Sequence, residues 1–94
     1  MILAKFKKQS AEVMDYDVSY VDFFSTRSDT PASVQVTVDP GITLTASSLN
    51  TTTKVVKVIL SGGTDGVTYK TTLQLTTSAG IVKEDEFQVT IRDY

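Results

Sequence analysis

The stretch from Leu60 to Gly80, LSGGTDGVTYKTTLQLTTSAG, restricts the fold most severely, because it spells out a loop, a long strand and a turn in succession. Ser61, Gly62, Gly63, Asp65 and Gly66 gather residues that cap turns or accept positive φ. From Val67 onward the side chains alternate: Tyr69, Thr71, Leu73 and Leu75 share one face, and Thr68, Lys70, Thr72 and Gln74 the other. A period of two fits a half-buried strand and not a helix. Gly62, Gly63 and Gly66 are therefore expected to be structural, serving turn geometry. A phosphate-binding loop would need a following lysine and a helix N-terminus, and here a strand follows.

The same period recurs along the chain. Ile2, Ala4 and Phe6 alternate with Leu3, Lys5 and Lys7, which predicts a short edge strand or an extended arm within residues 1–10. Gln9 to Met14 reads as a turn or loop, and Asp15 to Tyr20 as a strand with Val18 and Tyr20 inward. Val21 to Phe24 places apolar residues at successive positions, which predicts a bulge or a strand covered on both faces. Ser25 to Ala32 is a loop. Val34, Val36 and Val38 alternate with polar neighbours up to Asp39-Pro40-Gly41, a strong turn signal that predicts a hairpin into Ile42 and Leu44. Thr45 to Thr53 is expected to be a solvated loop, and Lys54 to Leu60 a strand with Val56, Val58 and Leu60 inward. After Ser78-Ala79-Gly80, a last strand turns Phe87, Val89 and Ile91 inward.

Seven strands with turn signals every ~8 to 12 residues match an immunoglobulin-like sandwich. A chain of 94 residues holds one modest core, so residues 1–94 are expected to be one all-β domain. Frequent threonine and valine favour sheet over helix. The Gly66-x-x-Tyr69 placement at the start of the penultimate strand is that of a tyrosine corner, in which the phenol reaches back to the preceding loop.

Chemistry is harder to place on this chain. It has no histidine and no cysteine, so its many hydroxyls lack the usual activating base and there are no disulfides or thiolates. The lysines at positions 5, 7, 8, 54, 57, 70 and 83 are expected on outward strand positions, where they keep edges soluble. Asp15 and Asp17 with Glu12, and Glu84-Asp85-Glu86, read as solvated acidic faces without calcium-loop spacing. These features argue against an enzyme and call for no cofactor or metal. A net charge of −2 gives no field for nucleic acid or an anionic membrane, and the first residues form no signal peptide or span of ~20 apolar residues. The absence of disulfides favours folding in a cytosol or stabilisation by assembly with other subunits.

Glu12-Val13-Met14-Asp15-Tyr16-Asp17-Val18-Ser19-Tyr20, Leu60-Ser61-Gly62-Gly63-Thr64-Asp65-Gly66-Val67-Thr68-Tyr69 and Thr76-Thr77-Ser78-Ala79-Gly80, in that order, carry a resemblance. From Lys8 to Arg92 the chain resembles the small structural proteins of tailed phages of the fiber-tail adaptor or tail-component type. The chain departs from that pattern at Gln9-Ser10-Ala11, where relatives have a proline, at Tyr20 in place of tryptophan, and at Ile81 in place of arginine. The resemblance implies a non-enzymatic virion component at the tail or neck, made in the host bacterial cytoplasm. Its partners would be tail, neck or fibre proteins and further copies of itself. A capsid decoration or head-completion protein would share this architecture, as would a carbohydrate-binding or adhesin-type module. The interface residues expected are Phe6 and Lys7 on the arm, and Phe23 and Phe24, because two adjacent apolar residues of a strand cannot face one core.

Overall fold

The computed structural model describes residues 2–94, and Met1, counted with the arm, lies outside the described residues. The elements are β1 (Ile2–Lys8), β2 (Met14–Ser19), a helical turn α1 (Val21–Phe24), β3 (Pro31–Val38), β4 (Ile42–Asn50), β5 (Val55–Gly62), β6 (Thr68–Thr77) and β7 (Val82–Ile91). One sheet has the order β1-β7-β6-β3 and the other β2-β5-β4. This is the immunoglobulin-like arrangement, with β2, β5 and β4 facing β3, β6 and β7, and with β1 paired in parallel to the last strand. The all-β sandwich of seven strands is as the alternation predicts. The amino-terminal strand pairs with the chain's own edge.

The most strongly alternating strands are the central ones. β6 turns Tyr69, Thr71, Leu73, Leu75 and Thr77 inward, β7 turns Asp85, Phe87, Val89 and Ile91 inward, and β5 turns Val56, Val58 and Leu60 inward. Central strands have neighbours on both sides, so their inner faces are fully covered. Edge strands contribute half-buried residues: Val18 on β2, Val34, Val36 and Val38 on β3, Leu44 and Leu49 on β4. Tyr20 is buried as expected, and Tyr16 joins it on the inner side.

Three local expectations are corrected. Asp39-Pro40-Gly41 does turn the chain, with Gly41 at φ +105, but no hairpin forms, because β3 pairs with β6 while β4 crosses to the other sheet and pairs with β5. Turn residues set a reversal; which sheet the next strand joins is set by the core it can cover. Thr45 to Asn50 is strand, and only Thr51 to Lys54 forms the turn. Its pattern is disguised by a bulge between Leu44 and Ala46, which shifts the register so that two leucines five positions apart both pack against the core.

Val21 to Phe24 is a helical turn. Tyr20 and Phe24, four apart, are both buried, and the Phe24 N–H donates to the Tyr20 carbonyl at 3.2 Å. At helical spacing such a pair shares one face, and the hydrogen bond back to the fourth preceding residue closes a helical turn that a strand lacks.

Candidate functional site: an open edge of the sandwich

β1 and β2 end their respective sheets on the same side of the sandwich, and neither has a second neighbour among the described residues. Between them opens a cleft of about 230 Å³, lined by Leu3, Ala4, Phe6, Val18 and Phe87, with Asp17 and Ser19 as polar members. The Phe6 ring lies 4.8 Å from Tyr16 and 5.7 Å from Phe87, which lie 5.3 Å from each other, so three rings close the inner wall. Phe6 nevertheless stays 38% exposed, as do Met14 at 38% and Leu3 at 37%. The tyrosine phenol of Tyr16 makes no hydrogen bond, and its burial pushes its pKa up, with Glu12 adding to the shift.

Charge on this edge is segregated by strand. Lys5 and Lys7 project outward from β1, and Asp15 and Asp17 outward from β2. Lys57 on β5 contacts both carboxylates, at 3.2 Å from Asp15 and 3.3 Å from Asp17. The hydrogen bond from Lys57 lowers the Asp15 pKa, and the bond to Asp15 raises that of Lys57. All three side chains are well exposed, so these pairs add little stability.

Of the other expected interface residues, Phe24 is buried in the core at 4% exposure. Phe23 is half-buried beside it, ring to ring at 5.0 Å, with the Arg27 guanidinium 4.3 Å and the Lys83 ammonium 5.4 Å from its centroid. It sits on α1, at the opposite end of the sandwich from the glycine loop. Phe6 and Lys7 alone of the four lie on the open edge.

Gly62 ends β5 and Gly63 and Gly66 lie in the β5–β6 connection, with φ of +76, +101 and +85. Tyr69 projects back under that loop, where its hydroxyl accepts a 3.0 Å hydrogen bond from the Thr64 N–H, and its ring lies against Gly41 and Gly63. The Gly66 N–H donates to the Ile91 carbonyl at 2.7 Å, which ties the loop to the end of β7. Tyr69→Phe should lower the unfolding free energy by about 1 kcal/mol, the usual worth of one such bond. A shift of the urea midpoint at unchanged m checks this, and full retention of stability would remove the phenol from the account.

Four charged residues are placed differently from expectation: Lys54 falls in the turn before β5, Lys83 shares the inward phase of Asp85, and Lys8 and Asp85 are buried. Lys8 is 2% exposed: β1 carries it inward after Phe6, and its ammonium donates to the carbonyls of Gly62 and Gln9 at 2.8 Å and of Ser10 at 3.4 Å. Burial lowers its pKa, while Glu12 and Asp93 pull it back up. Asp85 is 1% exposed rather than on a solvated face, with Lys83 at 3.0 Å from its Oδ1. Neither its Oδ2 nor the nearby Tyr20 hydroxyl makes a hydrogen bond, so burial first and the carboxylate's charge second push the Tyr20 pKa up. A signal for both was present: Lys8 continues the phase of Ala4 and Phe6, and Asp85 the phase of Phe87, Val89 and Ile91.

Among the described residues no group of three or more acidic side chains converges as a metal site, and no helix is long and apolar enough to cross a membrane. What the arrangement offers is an apolar cleft flanked by two free strand edges of opposite charge, a surface suited to main-chain pairing with another polypeptide. A search of curated proteins finds no match to the chain. A family model described as the Podophage GP4 fiber-tail adaptor protein gp77 matches residues 8–92, nearly the whole sequence, and the chain belongs to that family.

Proposed function

We propose that this chain is a non-enzymatic virion component that links the phage tail or neck to fibre proteins, and that it works through its strand edges and loops. The observation that carries this reading is membership of the fiber-tail adaptor family over residues 8–92. The geometry supports it in a second way. The β1–β2 edge joins exposed apolar side chains to unpaired main chain, the combination by which one polypeptide extends the sheet of another. In this reading Phe6 and Lys7 are contact residues, Phe23 with its two cations marks a second contact area, and Tyr69 with Gly62, Gly63 and Gly66 holds one end of a single folded domain rigid.

Co-expression of the chain with the tail and fibre proteins encoded beside it should yield a complex that survives size-exclusion chromatography. Particles assembled without it should keep filled capsids and lose their fibres. Particles that retain their fibres in its absence would sink the proposal, and a chain found on capsid lattice points by electron microscopy would replace it with a decoration role.

A further inference from the structure

We infer that the occupant of the β1–β2 edge is a second copy of this chain, related by a two-fold axis parallel to the strands. In that arrangement β1 of each copy pairs antiparallel with β2 of the other, and both sheets continue across the interface. The inference names what covers one of the strand edges invoked in the adaptor reading and rests on that reading.

Within one copy, the Phe6 and Tyr16 rings are 4.8 Å apart, so these two residues lie at the same level along the sandwich. The chain reverses at Gln9 to Val13 between β1 and β2, so the two strands run in opposite directions. A two-fold axis along the strands preserves both level and direction while exchanging the two layers. Phe6 therefore meets Tyr16 of the second copy, Lys7 meets Asp15, Lys5 meets Asp17, and Lys8 meets Met14.

Side-chain alternation then decides the chemistry. Phe6 and Tyr16 both turn inward, while Lys5, Lys7, Asp15 and Asp17 all turn outward, so the two lysines and the two carboxylates fall on the same face of the joined sheet and opposite one another. The other ways of pairing these edges place like charges together: β1 against β1 opposes lysines, and β2 against β2 opposes aspartates. Lysines on a free edge normally discourage pairing. Here they discourage every pairing except the one with β2, which is specificity by exclusion.

The bulge in β1 between Ile2 and Lys5 limits the ladder to Lys5–Lys8 against Met14–Asp17. The partly exposed Leu3, Phe6 and Met14 line the edge that the second copy covers, and the cleft of about 230 Å³ becomes part of one core continuous across the axis.

Charge reversal tests this with the isolated protein. Sedimentation equilibrium should give the wild type twice the 10.2 kDa monomer mass at high micromolar concentration. Lys5→Glu/Lys7→Glu and Asp15→Lys/Asp17→Lys should each dimerise at least about tenfold more weakly, since every cross-strand ion pair becomes a repulsion. An equimolar mixture of the two variants should recover the dimer, because both ladders of the mixed pair again join opposite charges.

Because the chain has no cysteine, a second measurement is free of background. Lys5→Cys chains mixed with Asp17→Cys chains should oxidise to a cross-linked pair, which neither forms alone. A monomeric wild type, or self-association indifferent to both reversals, or a mixture that does not recover, overturns the inference. Those results would leave co-purification with tail proteins unaffected, so the adaptor reading stands or falls separately.

Discussion

Alanine at Gly63 should lower the unfolding free energy by about 3 kcal/mol, the sum of backbone strain and overpacking. Gly63 has φ +101, a conformation that residues with a Cβ avoid. A Cβ there would stand 2.6 Å from Ile91 Cγ1, 2.8 Å from Ile91 Cδ1 and 3.3 Å from Tyr69 Cε2. Ile91 is fully buried and cannot swing aside, so the loop would have to lift from β7. Gly62 and Gly66 supply the comparison, with φ of +76 and +85 but open space around the added atom. Alanine at either should cost only the backbone share, about 1 kcal/mol. Urea denaturation of the three variants reads the difference directly. If Gly63→Ala falls within error of the other two, the close approach of Ile91 does not constrain the loop.

Lys8→Met should cost about 2 to 3 kcal/mol although it keeps the aliphatic volume, because buried carbonyls lose a charged donor. The ammonium joins three carbonyls from two segments, Gln9 and Ser10 after β1 and Gly62 at the end of β5. Around it the chain ends are stitched further: the Arg92 N–H donates to the Lys8 carbonyl at 2.9 Å, and Ser10 gives Asp93 two hydrogen bonds at 2.7 and 2.9 Å. Loss of the ammonium should therefore loosen the loop at Gly62 and the amino-terminal strand together, visible as faster amide exchange in β1 than in β6.

The pH dependence has a definite sign. Because burial sets the folded-state pKa of Lys8 below the ordinary 10.5, the unfolded chain binds more protons just below that value. This group alone therefore makes stability rise with pH across that window. The methionine variant should lack that component, and a variant as stable as the wild type would show that the three carbonyls find other partners.

The fate of each segment tracks how many neighbours its strand has. β5, β6 and β7 were legible in the sequence because a strand with a partner on each side and a facing sheet must bury every second residue. β4 was legible only at Ile42 and Leu44, because beyond its bulge this edge strand half-buries Leu49 alone and exposes its other side chains. Four residues at Val21 to Phe24 carry too little pattern to separate a bulge from a helical turn; the hydrogen bond from the Phe24 N–H to the Tyr20 carbonyl decides for the turn. At the open edge, Phe6 and Lys7 were legible from composition and phase, but the cleft beside them was not, since it depends on β1 and β2 closing different sheets on one side.

By itself, then, the sequence determined the class of fold, the inward residues of the central strands, the loop at Gly62 to Gly66 and the family to which the chain belongs. These are properties of local period, turn chemistry and motif order, all carried by residues near one another in the chain. Only the tertiary structure decided that the Pro40 turn passes between sheets, that Lys8 and Asp85 are buried, and that basic and acidic edges lie level with each other. Those outcomes depend on which distant segments share a layer. Layer sharing is set by how the whole core is covered, and no stretch of alternating residues records it.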